Sequence, residues 1–242
     1  MAHIIVFEFD HWRTSGRIGA TLRDHGFRLD IRRLDQLGAE GVPIDLDNVG
    51  GVVIMGGGQN VDESHPWLQP LRAFTKAAHE RDLPVIGVCL GAQIIAEALG
   101  GKVAQAETPE AGFVPVQLNH AGQTDILLAG VPWNVRQLCF HSREVTELPP
   151  GAALLGSSEA CKNHVFRVGL RTFAFQSHIE VVQDALPTWI DQHAAMIEAA
   201  GNTPGQVTAE AEDAYEMFAR AADRVCVNMA TFAFPFDSLM AV

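Results

Sequence analysis

The stretch 87–91, Gly-Val-Cys-Leu-Gly, has the residue types and spacing of a thiol nucleophile on a sharp turn. An apolar run, 84–86, precedes it and a helical pattern, 94–99, follows it, so Cys89 is expected between a strand and a helix. The helix directs its free N–H groups and positive dipole end at the sulfur, which favours the thiolate. The pattern therefore predicts a nucleophilic Cys89, with a buried structural cysteine as the alternative.

A nucleophilic cysteine needs a base, and the base needs a group that orients it. His178 is the best candidate because it follows a strand-like run, and Glu180 stands close enough for a short turn to bring its carboxylate to the imidazole. Parallel strands present their carboxyl ends at one edge of a sheet, so we expect Cys89 and His178 to meet there. A histidine beside a glutamate is otherwise more often a surface pair.

A glycine run at 56–58 also follows a predicted strand. Its N–H groups, with that of Leu90, predict an oxyanion hole, and a tight turn is the alternative. Neither Gly-x-x-x-x-Gly-Lys-Ser/Thr nor Gly-x-Gly-x-x-Gly occurs, so we expect no phosphate-binding loop and no cofactor.

A parallel sheet is needed to bring these residues together. In the first half of the chain, predicted strands alternate with predicted helices: strands at 3–9, 27–34, 49–55 and 84–88, and helices at 14–25 and 66–80. This rhythm predicts an α/β fold with three layers, a mostly parallel central sheet and helices on both faces. The second half predicts some antiparallel edge strands at 112–118, 135–140, 152–156, 164–168 and 172–175, then helices at 181–200 and 207–229.

Composition is that of an ordinary globular chain of 242 residues, 48% hydrophobic and 19% charged. We expect one domain over 1–242, with a core of about 1–190 and a helical extension of about 191–242. A net charge of −12 argues against nucleic-acid binding. No apolar stretch reaches the ~20 residues of a membrane helix and no basic leader is apparent, so a cytoplasmic location is expected.

Histidines and cysteines elsewhere in the chain are possible metal ligands. Cys139-x-His141 and Cys161-x-x-His164 are of the right types, but their spacing is irregular for a structural zinc site, so we expect no metal.

The three motifs, in this order and spacing, resemble class I glutamine amidotransferases, and most of all stand-alone proteins similar to the amidotransferase half of GMP synthase. The likeness spans about 4–180 and includes Glu-Leu-Pro-Pro-Gly-Ala at 147–152. It implies a flavodoxin-like fold and a triad in which Cys89 attacks a γ-glutamyl amide while Glu180 orients His178. It also implies an oxyanion hole formed by the N–H groups of Gly57 and Leu90.

The resemblance also indicates which residues surround the substrate: Gly58, Gln93, His141, Ser142, Arg143 and Glu144. Relatives often have His-Gly-Asp where this chain has His141, Ser142 and Arg143, and their aspartate is expected to hold the α-amino group. Arg143 has the wrong sign for that contact, and the neighbouring Glu144 faces the other way on a strand. We therefore hypothesise that free glutamine is not the best substrate.

The leading hypothesis is hydrolysis of a γ-glutamyl amide, either glutamine or an N-substituted amide, releasing glutamate and ammonia or an amine. A glutaminase subunit that feeds a separate synthetase or ligase, a non-catalytic regulator, and another enzyme with a cysteine elbow remain alternatives. The apolar segment 230–242, which contains Phe232, Phe234, Pro235 and Phe236, is expected to pack on the body or on a second copy in a homodimer. His11 and Trp12 are expected in a surface loop or beside the leaving group.

Overall fold

The first strand is apolar on both sides, because it lies inside a sheet that helices cover on both faces. A computed structural model describes residues 2–234. The strands are β1 (His3–Glu8), β2 (Leu29–Arg33), β3 (Val49–Ile54), β4 (Val85–Val88), β5 (Lys102–Leu118), β6 (Asn134–Glu147), β7 (Ala152–Ser157), β8 (Val165–Val168) and β9 (Thr172–Phe175). The α-helices are α1 (Gly16–Asp24), α2 (Leu34–Leu37), α3 (Leu68–Glu80), α4 (Leu90–Ala98), α5 (His120–Thr124), α6 (Leu186–Gln192), α7 (Ala194–Ala199) and α8 (Pro204–Asn228).

The strands form one sheet in the order β2-β1-β3-β4-β9-β8-β7-β5-β6. The first five strands in that order are parallel, and β8, β7, β5 and β6 are antiparallel to their neighbours. The predicted α/β sheet with antiparallel strands on one side is confirmed. Strand β9 joins the two halves, because it pairs in parallel with β4 and antiparallel with β8.

Alternation along β1 separates two apolar cores. Ile4 and Val6 belong to the cluster that includes residues of α1 and α8, and Ile5 and Phe7 belong to the cluster that includes α3 and α4. All four side chains are at most 2% exposed. Because successive side chains of a strand point to opposite faces, this burial fixes the register of the sheet between its helical layers.

Three predicted elements differ from the structure. The antiparallel strands predicted at 112–118 and 135–140 are longer, since β5 and β6 extend together across a register shift between Gln105 and Glu110. The helix predicted at 181–200 is wrong in its bounds. Pro187 lies in the first turn of α6, where its missing N–H leaves no helical hydrogen bond unmade. Helix α6 ends before His193, and α7 begins after it.

At the end of the described chain, Phe234 packs on the body of the protein, as predicted for the apolar segment, and Phe232 does not. Phe234 is 1% exposed with its ring centroid 5.8 Å from that of Phe27, whereas Phe232 is 50% exposed. Pro235 and Phe236 belong to 235–242, which lies outside the described residues. No helix within residues 2–234 has the length and apolar character needed to cross a membrane.

Candidate active site

Cys89 occupies the sharp turn between β4 and α4. Its backbone has φ 49° and ψ −105°, a conformation that costs a non-glycine residue about 1–3 kcal/mol. Its N–H donates to the carbonyl of Phe175 on the neighbouring β9 at 2.8 Å. The strained backbone conformation thus lies at the cysteine itself, and the hydrogen bond to β9 helps to hold it.

The flanking glycines, Gly87 and Gly91, are not needed for a left-handed backbone at the turn, because neither has a positive φ. A Cβ on Gly91 would lie 2.0 Å from the carbonyl oxygen of Ile54, and one on Gly87 would lie 2.6 Å from the backbone of Gly91. Both glycines therefore allow α4 to pack directly against β3 and β4, which places the helix N-terminus at Cys89.

We expect Gly91→Ala to lower the free energy of unfolding by about 3 kcal/mol, because the new methyl group meets backbone that cannot move aside. Urea denaturation measures this. Gly205→Ala is the matched control: a Cβ there meets nothing nearer than 4.0 Å within the described chain, and alanine favours the helix. Equal stability of the two variants would contradict the packing argument.

His178 and Glu180 form a buried pair next to Cys89. The imidazole Nδ1 lies 2.8 Å from Glu180 Oε1, and each side chain is 2% exposed. Gly56 lies beside both His178 and Cys89, since a Cβ there would be 2.7 Å from His178 Cε1 and 3.5 Å from Cys89 Cβ. The structure therefore brings the cysteine, histidine and glutamate of the two distant motifs together.

Backbone contacts hold this pair in place. The His178 N–H donates to the Leu138 carbonyl at 2.8 Å, and the Glu180 carbonyl accepts from the N–H of Arg17 at 2.9 Å. Gly16, with φ 44°, allows the close approach, because a Cβ there would lie 2.3 Å from the Glu180 carbonyl oxygen. The first turn of α1 thus holds the backbone of Glu180 in place, a contact that the sequence motifs did not indicate.

The electrostatics of His178 favour the charged imidazolium. Burial opposes charge on the ring, but the nearby Glu180 carboxylate, Cys89 and their hydrogen bonds raise the pKa of His178 to about 10. The protonated ring is suited to stabilise a thiolate and to donate a proton to a leaving group.

A cavity of about 390 Å³ opens beside Cys89. Gly57 and Leu90 line it, and the N–H of Leu90 has no acceptor within α4 because it is the first residue of that helix. A Cβ on Gly57 would lie 2.8 Å from Leu90 Cδ2, so the two residues are adjacent. Their arrangement is compatible with the predicted oxyanion hole.

Five of the six predicted substrate-binding residues line this cavity: Gly58, Gln93, His141, Ser142 and Arg143. Glu144 does not line the cavity, so its place in the substrate site stays a prediction. The Glu144 carboxylate lies near Cys161. Burial raises the pKa of the Cys161 thiol, and the carboxylates of Glu110 and Glu144 add to that shift.

The Arg143 guanidinium is paired with other side chains of the protein. Its guanidinium pairs with Asp62 at 2.8 Å and donates to Gln105, while its carbonyl accepts from Gln93 Nε2 at 3.0 Å. Gln93 Nε2 also lies 3.3 Å from Gln176 Oε1. The Gln93 amide is therefore fixed by the protein rather than free in the cavity.

Several cavity residues lie outside the sequence motifs, and Arg13, Gln59 and His193 are among them. Arg13 pairs with Asp10 in the loop after β1, and its guanidinium lies 4.0 Å above the Trp12 ring. The Gln59 Nε2 donates to the Phe9 carbonyl at 3.2 Å, and its Oε1 has no partner within residues 2–234. No aspartate or glutamate is among the described residues that line the cavity.

Aromatic rings form the side of the cavity next to His178. The ring centroids of Trp189 and His178 are 4.5 Å apart, and His193 stacks on Phe140 with centroids 4.3 Å apart. Burial lowers the pKa of His193 to about 4, so this ring is neutral at pH 7. Trp12 packs against Trp189, whereas His11 is exposed. The predicted loop thus contributes Trp12 to the aromatic layer and leaves His11 outside it.

Glu110, Cys139, His141 and His164 are the group of donors within the described chain that could hold a metal ion. Three of these four belong to the two cysteine–histidine pairs noted in the sequence. Cys161 is not in the group, and Glu110 takes its place.

The fold and site together define a glutamine amidotransferase, and the chain belongs to the class-I glutamine amidotransferase family, whose model matches residues 15–193. Membership of this family supports amidohydrolase activity. A solved structure of a glutamine amidotransferase from Methylobacillus flagellatus superposes with a TM-score of 0.86 at 23% identity, covering 97% of this chain and 95% of that one. That similarity confirms the fold.

Curated relatives carry more than one activity. The glutamine-hydrolysing GMP synthase component of Thermoplasma volcanium is 34% identical over 158 residues, which are 62% of this chain and 75% of that protein. A glutamine amidotransferase-like protein of Salmonella typhimurium is 30% identical over 192 residues, covering 76% of this chain and 77% of that protein. Gamma-glutamyl peptidase 4 of Arabidopsis thaliana is 31% identical, covering 61% of this chain and 60% of that protein.

Proposed function

We propose that this protein hydrolyses an N-substituted γ-glutamyl amide through a thioester on Cys89. The observation that carries the proposal is the strained Cys89 turn beside the buried His178–Glu180 pair, at the wall of a cavity. The likeness to gamma-glutamyl peptidases supports this bond as the target.

The residues act in two half-reactions. The Cys89 thiolate attacks the γ-carbonyl carbon, and the oxygen that gains the electron pair is held by the N–H groups of Gly57 and Leu90. His178 gives its proton to the departing nitrogen, which leaves as an amine. His178 then takes a proton from water, whose oxygen attacks the thioester, and glutamate leaves as the thiolate is restored.

The aromatic side of the cavity supports a substrate with a substituted leaving nitrogen. The charges of the lining do not distinguish the two substrates, because glutamine and its N-substituted amides share the α-ammonium group and both lining arginines are paired with aspartates. The aromatic layer of Phe140, Trp189 and His193 lies beside the proton donor, where a leaving amine departs. Such a layer favours a leaving group with apolar surface over ammonia.

Steady-state rates on glutamine and on a series of N-alkyl and N-aryl γ-glutamyl amides test the substrate. We expect the substituted amides to have the higher kcat/KM. A strong preference for plain glutamine would contradict the substrate proposal while leaving hydrolysis intact. Labelling by a glutamine-like electrophile, with no labelling of Cys89→Ala, tests the nucleophile separately.

Arg143→Asp is expected to lower KM for glutamine by about tenfold, because a carboxylate on the cavity wall can accept a charged hydrogen bond from the α-ammonium group. Steady-state kinetics measure the change. Arg136→Asp, on the same strand but outside the cavity, is the control and should leave KM unchanged. If both variants bind glutamine like the wild type, the charge at position 143 does not select the substrate.

A glutaminase that passes ammonia to a separate synthetase is the second candidate. It is favoured by the likeness to the glutamine-hydrolysing GMP synthase components, and in that case plain glutamine is the substrate. Activity on glutamine that rises when a synthetase is added would support this candidate over the free-standing hydrolase.

A further inference from the structure

Four buried donor side chains lie together in the antiparallel half of the sheet. They are Glu110 on β5, Cys139 and His141 on β6, and His164 just before β8, and their donor atoms all lie within 4.8 Å of one another. Cys139 and His164 are 0% exposed, and the other two are at most 7% exposed. The proposed hydrolysis uses none of these donor atoms.

The spacing of the donors fits one small cation. His164 Nε2 lies 3.4 Å from Cys139 Sγ and 3.8 Å from Glu110 Oε2, and His141 Nε2 lies 2.9 Å from that same oxygen. Bonds of about 2.0–2.3 Å to a tetrahedral zinc ion place its ligands roughly 3.3–3.8 Å apart. Two of these three distances are in this range, the third needs a small outward movement of one side chain, and the other three pairs of donor atoms are within 4.8 Å.

Both ring nitrogens of His141 face acceptors. Nδ1 lies 3.1 Å from the Arg143 carbonyl, and Nε2 lies 2.9 Å from Glu110 Oε2. A neutral ring has one N–H, so it can donate to only one of these acceptors, and a metal ion between Nε2 and the carboxylate would satisfy the other contact. A backbone carbonyl on the far nitrogen is the usual outer partner of a metal-binding histidine.

The outer contacts and the net charge also suit a metal. Glu110 Oε1 accepts from Ser158 Oγ at 2.6 Å, which fixes the carboxylate and leaves Oε2 directed at the histidines. Zn²⁺ with one thiolate, one carboxylate and two neutral imidazoles has no net charge. Neutrality matters because an uncompensated charge in a buried site is strongly unfavourable.

We propose that Glu110, Cys139, His141 and His164 bind one zinc ion as a structural site. Thiolate and imidazole donors select zinc over magnesium or calcium, and four protein ligands leave no open position for substrate or water. Binding forms four metal–ligand bonds and releases the Cys139 thiol proton to solvent.

Such an ion would act on the active site through β6. Phe140, between the two β6 ligands, has its carbonyl 3.8 Å from Cys89 Sγ, and the preceding Leu138 carbonyl accepts from the N–H of His178. The ion would tie β6 to β5 and to the segment before β8. It would therefore fix the position of the β6 backbone that both Cys89 and His178 contact.

Metal analysis of the purified protein and titration of the chelator-treated protein with Zn²⁺ and Co²⁺ test the proposal. We expect about one zinc per chain, a visible Co²⁺ spectrum of the tetrahedral thiolate type, and a higher melting temperature with zinc. His164→Gln and Cys139→Ser should each weaken zinc binding by at least about 100-fold. Cys226→Ser, at a buried cysteine on α8 that is not in the cluster, should not change it.

The wild-type titration decides the question even if a variant fails to fold. No saturable binding of Zn²⁺ or Co²⁺ by the wild type would overturn the proposal. Full binding by folded Cys139→Ser and His164→Gln would also overturn it, because the ion would then lie elsewhere. These outcomes are measured without activity, so they are independent of the proposed hydrolysis.

Discussion

We expect Cys89→Ala to lower kcat for γ-glutamyl amide hydrolysis by at least about 10⁴-fold, because no other described side chain at the cavity can form the thioester. The oxyanion donors and the histidine remain, so residual catalysis over water is expected. Steady-state release of the amine measures the loss, and mass spectrometry should find no acylated protein.

Cys226→Ala is the control for this substitution, since it removes another buried thiol from the interior of α8. We expect it to keep kcat within about twofold of the wild type. Retention of more than about one hundredth of the wild-type rate by folded Cys89→Ala would exclude Cys89 as the nucleophile. A matching melting curve establishes that the variant is folded.

The second large effect is expected at Glu180. Glu180→Gln should lower kcat by about 10³- to 10⁴-fold, as loss of the orienting acid does in comparable triads. It should also move the alkaline limb of the pH–rate profile. In the wild type the pKa of His178 is raised to about 10, so the imidazolium persists up to that pH and activity falls above it. Without the carboxylate, burial lowers this pKa.

The alkaline limb of Glu180→Gln should therefore lie at least about one pH unit lower than that of the wild type. Glu216→Gln, which changes an exposed glutamate on α8, serves as the control and should leave the profile unchanged. Coincident alkaline limbs for Glu180→Gln and wild type would mean that Glu180 does not stabilise the charged ring.

Much of the site could be predicted from the sequence because its three motifs are local. Each motif follows a strand of the parallel half, and parallel strands end at one edge, so Cys89, His178 and the Gly57 turn had to converge. Strand alternation is a weaker guide, because the consecutive β6 residues His141, Ser142 and Arg143 all line the cavity while Glu144 does not.

The rest depends on contacts between segments far apart in the chain. Arg13 and His193 reach the same cavity from opposite ends of the sequence, and neither belongs to a motif. His193 also breaks the helix predicted at 181–200, where its Nδ1 bonds to the Trp189 carbonyl and its ring stacks on Phe140. The pairing of Glu110 with His141 follows from the β5–β6 register, which no local spacing indicates.

The central place of β9 has a consequence for the order in which the molecule can form. Strand β4 pairs with β3 early in the chain, but its other edge is filled only when β9 has been synthesised. Until then, a nascent chain exposes an apolar edge strand that can pair with another molecule. The proposed nucleophile and its base come from the two sides of that late junction. On that proposal the catalytic pair forms only when β9 pairs with β4, so we expect a chain interrupted before this step to be inactive and prone to aggregate.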